Sequence, residues 1–333
     1  MNPAFSVLPW QDELWSQFSD SLAKGRLGHA QLLSGPQGVG KRQFARRMAA
    51  SLLCEQRQPS GDACGQCRGC QQYAASSHPN LFWLQRELND KGDKEKRDIS
   101  MDQLREMMEK LSLSGHYGQA KAVVVDPVDA LNISGANAVL KTVEEPPPNT
   151  FTILLSERPM ALVATLRSRC QRINFSVPDA DLATAWLKAE APDINPQASL
   201  MVAGGAPLLA LENHRSGAGQ QIEAWQSQLL SVAERRTEPL AAAAAVGKDE
   251  VSHWLRQFAS VLHLLMRARA GNAINSSINR LALRLDQAHI ERLLAEVTDS
   301  QRRLQSNANP QMLVESLMIS WWHRSAPNRQ QGR

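Results

Sequence analysis

Hydrophobic positions recur with two different periods along the chain, and the change between them divides it. In the first half, short apolar runs, "HAQLLSG" at 29–35, "NLFWL" at 80–84, "AVVVD" at 122–126, "FTILL" at 151–155 and "RINF" at 172–175, predict buried parallel strands. Helical stripes separate them. Leu14, Phe18 and Leu22 predict an amphipathic helix over 11–23, and Ala45, Met48, Ala49 and Leu52 mark the buried face of a helix that follows a Gly-rich loop. Ser100 and Gln103 stand at capping-box spacing before Leu104, Met107, Met108 and Leu111. Ala136, Val139, Leu140 and Val143 line a further helix that stops at Pro146-Pro147-Pro148. Alternating strands and helices predict a doubly wound α/β domain to about residue 175.

Beyond Pro178 strand signals almost vanish, and Ala-, Leu- and Gln-rich helical text runs to the polar tail "SAPNRQQGR". Breaks at "GGAP", 204–207, and "NHRSGAG", 213–219, predict a small helical domain followed by a larger one. The charge-rich stretch "QRELNDKGDKEKRD", 85–98, reads as a solvated loop.

Composition adds little constraint on function. The 333 residues are 43% apolar and 21% charged, an ordinary soluble balance with length for two or three cores. Thirty-seven basic against 33 acidic residues leave +4, without a dense Lys/Arg stripe, so DNA contact needs separate evidence. No apolar stretch approaches the roughly 18 residues of a membrane span, and the N-terminus lacks the basic and apolar regions of a signal peptide. The expectation is a cytoplasmic protein without membrane partners.

Two motifs carry candidate chemistry. In "GPQGVGKRQ", 35–43, Gly35, Gly38, Gly40 and Lys41 form a phosphate loop between strand and helix, where backbone N–H groups close on phosphate oxygens and the lysine reaches the outer phosphates. The bland reading is a tight strand-to-helix turn. Arg42 stands where a Ser or Thr hydroxyl would hold Mg²⁺. Asp126, ending an apolar strand, is placed for the second-strand acid or, equally, for a turn before Pro127; a proline there cannot polarise water. The second motif is Cys54, Cys64, Cys67 and Cys70 in a Gly-punctuated segment, four soft ligands suited to a closed, structural Zn²⁺ site. Reduced, unliganded thiols or an iron–sulfur cluster are the alternatives. Cys170 reads as a buried structural thiol.

Taken together, "GHAQLLSGPQGVGK", the four-cysteine array, "NAVLKTVEEPP" at 137–147 and "TLRSRC" at 165–170 resemble the delta-prime family of bacterial DNA polymerase III clamp-loader subunits, AAA+ relatives. The resemblance implies an AAA+ α/β domain over 1–175 with a zinc-binding insertion at about 54–70, a helical lid over 176–216 and an all-α collar over 217–333. It implies a ring of five with gamma/tau motor subunits and a delta subunit, acting on a sliding clamp and primed DNA within a DNA-directed DNA polymerase holoenzyme. Ser168-Arg169-Cys170 matches the family's motif, whose arginine enters a neighbouring motor's ATP site. Ordinary surface or ion-paired arginines at 167, 169 and 172 are the bland alternative. Pro207 replaces the lid arginine of motor subunits, and Ser156 is a weak remnant of a strand-end sensor. With Arg42 and Pro127, these departures imply a subunit without intrinsic ATPase, while nucleotide binding in the loop stays open. An autonomous ATPase with an atypical magnesium site, and a zinc-dependent nucleic-acid-binding module, are the competing readings; the latter requires strongly salt-dependent DNA binding by the isolated chain.

Overall fold

A computed structural model describes residues 7–89, 91–92, 95–113, 120–271, 276–305 and 308–326. The chain forms two compact units, Met1–Ala183 and Thr184–Arg333.

The first unit is built on five strands: β1 (Ala30–Ser34), β2 (Leu81–Gln85), β3 (Lys121–Asp126), β4 (Thr150–Ser156) and β5 (Gln171–Asn174). They pair in parallel in the order β2-β3-β4-β1-β5. β1, β3 and most of β4 are buried throughout, as near-continuous apolar runs require when helices cover both faces. β5 departs from the expectation of a buried strand. It is one of the two sheet edges, pairing among the described residues with β1 alone, and its Gln171, Arg172 and Asn174 are exposed.

Helices α1 (Asp12–Ala23), α2 (Lys41–Leu53), α3 (Arg68–Ala74), α4 (Met101–Leu113), α5 (Ile133–Glu144) and α6 (Ala164–Arg169) connect the strands. α4 opens with the expected capping box: the Ser100 N–H donates to Gln103 Oε1 at 2.9 Å and the Gln103 N–H to Ser100 Oγ at 3.2 Å. Leu104, Met107 and Leu111 then pack with Val139 and Val143 of α5 and with β3. On α1 the buried face is led by Trp15 and Phe18, and Leu14 and Leu22 lie at its margins. Trp15 draws the face round because its ring meets Phe44 at 5.7 Å and its indole N–H donates to Ser60 O at 3.0 Å. The charge-rich segment after β2 is mostly exposed where it is described and carries the Lys96–Glu87 ion pair at 3.2 Å.

The second unit is helical throughout its described residues. Helix α7 (Ala180–Glu190) enters it, followed by α8 (Pro196–Val202), α9 (Pro207–Arg215), α10 (Gly219–Ala233), α11 (Pro239–Ala244), α12 (Val251–Arg269), α13 (Ser276–Arg284), α14 (Gln287–Gln305) and α15 (Pro310–Arg324). The turn between α8 and α9 falls at the break predicted over 204–207, with Pro207 opening α9, whereas of 213–219 only residues 216–218 lie between helices, Asn213, His214 and Arg215 still belonging to α9 and Gly219 opening α10. One apolar cluster runs from Val202 of α8 through Trp225 and Leu229 of α10 to Trp321 of α15. At its centre Phe258 lies 5.4 Å from Trp254 and 5.5 Å from Trp321, whose N–H donates to Leu229 O at 2.8 Å.

Candidate functional site

The Gly-rich loop joins the end of β1 to the start of α2, where the glycines are required by close approach. A Cβ on Gly35 would fall 2.2 Å from Phe175 O, and one on Gly40, at φ +96°, would fall 2.4 Å from Gln11 Nε2. Residues before α1 clasp the loop, the Trp10 indole donating to Val39 O and the Gln11 amide to Gly40 O, both at 2.9 Å. The loop lysine is turned inward. Lys41 is 7% exposed, and its Nζ donates to Gly35 O at 2.7 Å and Pro36 O at 2.6 Å. Burial pulls its ammonium below the usual lysine range, opposed in part by Glu157, Asp129 and Asp126.

Arg42, beside it, pairs with Asp126, the last residue of β3. Where a loop hydroxyl and a strand-end aspartate would share a magnesium ion, a guanidinium supplies the positive charge instead. Position 42 offers no oxygen ligand, and the Asp126 carboxylate is engaged, so these side chains do not fit a magnesium site. Ser156 is equally committed: its hydroxyl donates to Asp129 Oδ1 at 2.8 Å, and the next N–H, of Glu157, donates to Asp129 Oδ2 at 2.7 Å. Removing the cation has a measurable cost. Arg42→Ala leaves the Asp126 side chain, only 7% exposed, without its partner. Urea unfolding is expected to show a loss of about 1–2 kcal/mol, less than for a fully buried pair because the Arg42 side chain is half exposed.

The four cysteines converge. Their sulfurs all lie within 4.8 Å of one another, with Cys54 to Cys67 and Cys64 to Cys70 at 3.9 Å. A tetrahedral ion at about 2.3 Å from each sulfur needs S···S separations of about 3.8 Å, so the cluster has the size of a four-thiolate metal site. The N–H groups of Cys64, Cys67 and Cys70 donate to Cys54, Cys64 and Cys67 sulfurs at 3.2, 3.3 and 3.4 Å. Such bonds orient and stabilise metal-bound thiolates. The N–H groups of Gln66 and Cys67 bring the Cys64 thiol down to about 6, while burial pushes those of Cys54 and Cys70 up. Four sulfurs this close cannot all ionise without a cation between them.

Around the cluster the chain is held by contacts that sequence reading missed. Arg47 of α2 makes a two-point pair with Asp62 at 2.7 and 3.0 Å, and its guanidinium lies 3.8 Å over the Trp15 ring. Gly69 of α3 packs on the end of α2, where a Cβ would fall 2.5 Å from Leu53 O. No local spacing links Trp15, Arg47 and Asp62; only the folded insertion does.

Ser168, Arg169 and Cys170 end α6 and lead into β5. Cys170 turns inward, its thiol donating to Leu166 O at 3.2 Å, and burial raises it to about 11, as befits an inert structural thiol. Ser168 Oγ donates to Thr165 O at 3.0 Å. Arg169 is 44% exposed in its side chain and pairs through Nε with Glu144 Oε1, at the end of α5, at 2.8 Å. Gln171 is in register with Gln31, at the start of β1, whereas the phosphate loop follows the other end of that strand. Four residues at about 3.3 Å each put about 13 Å of sheet between them. Arg169 and the chain's own loop therefore lie at opposite ends of the sheet, and the structure does not bring them together.

Comparison with known proteins identifies the family. A family model described as "DNA polymerase III, delta subunit" matches residues 10–179. DNA polymerase III subunit delta' of Pseudomonas aeruginosa is 38% identical over 218 residues, 65% of this chain and 63% of that one. The Escherichia coli subunit delta' is 29% identical over 330 residues, 96% of each chain. Subunit tau of DNA polymerase III from Bacillus subtilis is 29% identical over 171 residues, 51% of this chain and 29% of that one. The chain belongs to the delta-prime family of DNA polymerase III subunits.

Proposed function

We propose that this chain is a non-hydrolysing clamp-loader subunit that stabilises the loader ring and gives Arg169 to the ATP site of a neighbouring gamma/tau motor, coupling hydrolysis to placement of a sliding clamp on primed DNA. The observation that carries the reading is the pairing of Arg42 with Asp126 in place of a metal site, on a chain whose Arg169 is half exposed at the far end of the sheet. A motor needs both a metal-phosphate centre and a charge to offset the transferring phosphoryl group. Here the first is replaced by an internal ion pair, and the second is available to another subunit.

The partners of this reading are the gamma/tau motors and a delta subunit in a ring of five. In this reading residues 176–216 form the lid and 217–333 the collar, so that the lid begins a few residues before the helical unit does. Cys54, Cys64, Cys67 and Cys70 would hold a structural zinc ion, which leaves no open position for catalysis and fastens the insertion to α2.

Reassembly from purified subunits tests the proposal. The isolated, zinc-loaded chain is expected to hydrolyse ATP no faster than buffer, and adding it to the motor and delta subunits is expected to raise DNA-stimulated hydrolysis. Turnover by the chain alone, lost in Lys41→Ala, would establish an autonomous ATPase instead. Motors indifferent to its addition would remove the coupling role.

A further inference from the structure

The Glu144 carboxylate and the Arg169 guanidinium bring together the ends of two helices. α5 ends at Glu144, just before the proline run, and α6 ends at Arg169. Nε of Arg169 lies 2.8 Å from Glu144 Oε1, and Nη1 donates to Thr165 O at 3.3 Å. An arginine carries five N–H donors in a rigid plane. Holding the plane by its Nε edge and by one Nη1 hydrogen fixes the side-chain torsions and leaves the Nη2 end of the fork for an incoming anion.

The pair is open to water, with side chains 44% and 37% exposed, so it adds little to folding. Its use lies in orientation. A long side chain that is already ordered loses less freedom when a phosphate arrives, and a charge aimed in advance is worth more than one that must be recruited. We propose that Glu144 is a positioning residue that holds the Arg169 fork ready for phosphate oxygens of a nucleotide on the neighbouring subunit. The inference rests on the proposed role of Arg169 in trans.

Loaders assembled from full-length chains carrying Glu144→Ala, Glu144→Gln, Arg169→Ala or Glu144→Ala with Arg169→Ala test it by single-turnover hydrolysis at the motor site beside this chain. Glu144→Ala is expected to slow hydrolysis about 10-fold with ATP affinity unchanged, as a pre-oriented group becomes one that must be ordered. Glu144→Gln keeps the shape without the charge and is expected to fall close to the alanine level. In the Arg169→Ala background, Glu144→Ala should cost nothing more, since a residue acting only through Arg169 has nothing left to hold. Normal rates with Glu144→Ala, a glutamine variant that behaves as wild type, or an undiminished loss in the double variant would each overturn the inference while leaving the role of Arg169 standing. A silent Arg169→Ala would instead remove the reading on which it rests. Melting temperatures of the single variants, expected within about 3 °C of wild type, separate these outcomes from misfolding.

Discussion

Arg169→Ala is expected to slow ATP hydrolysis at the adjoining motor site by about 10³-fold, the lower end of what an arginine finger contributes. The loader should still assemble, as size-exclusion chromatography would show, because the Arg169 ion pair is half exposed and worth no more than about 1 kcal/mol to folding. The loss arises in the transition state, where charge spreads over the equatorial oxygens of the phosphoryl group in a site from which water is excluded. Motor sites that receive their arginine from other subunits keep their rates, so single-turnover measurement reports the effect more fully than a steady-state average. Arg169→Lys should recover only a small part: an ammonium keeps the charge but loses the planar fork. Hydrolysis undiminished by Arg169→Ala would defeat the assignment.

The placement of Arg169 keeps it away from its own chain's phosphate loop, as the proposed role toward a neighbour requires. Parallel strands put every loop that follows a strand at one end of the sheet and every approach to a strand at the other. The phosphate loop follows β1, and Arg169 precedes β5, which lies beside β1 in register. The Ser168-Arg169-Cys170 motif divides its work in the same geometry. Cys170 anchors the turn in the core, and Arg169 beside it remains at the surface.

How much of this was legible in the sequence varied with the range of the interaction. Strands β1, β3 and β4 announce themselves because each is an apolar run buried on both faces. "RINF" predicts a buried strand, but it does not say that β5 stands at a sheet edge, where Gln171, Arg172 and Asn174 are exposed. On α1, Leu14, Phe18 and Leu22 give a plausible period, yet the buried face is set by Trp15, whose partners Phe44 and Ser60 lie far along the chain. At the phosphate loop, the sequence shows what Arg42 is not; only the fold shows that it reaches Asp126, 84 residues away. The role proposed for Arg169 rests on family resemblance alone, and its partner Glu144 carries no signal in the sequence that marks it from other helix-end carboxylates.

Loss of one cysteine of the cluster is the other change with a large expected effect. In Cys67→Ser a hydroxyl replaces a soft thiolate, and the remaining three sulfurs would hold the proposed Zn²⁺ far less tightly. Metal content is expected to fall from about one ion per chain to near zero, and the melting temperature by roughly 5–10 °C. The fall is bounded because the insertion has other fastenings: the Arg47–Asp62 pair, the Ser51 hydroxyl bond to Gly61 O at 2.6 Å, and the Tyr73 hydroxyl bond to Arg46 O at 2.9 Å. The Tyr73–Arg46 bond ties α3 to α2, and the bonds of Arg47 and Ser51 still tether Asp62 and Gly61 to α2, so the sheet should stay folded while the cysteine-bearing stretches on either side of Gly61 and Asp62 loosen and become more open to proteases. Cys67 has a second role that sharpens the effect, since its sulfur accepts the Cys70 N–H at the start of α3. Acidification should mimic the substitution, because protons compete with the metal for the same four thiolates and release it as the pH falls. A Cys67→Ser chain that keeps both its zinc content and its melting temperature would show that the cluster does not staple the insertion.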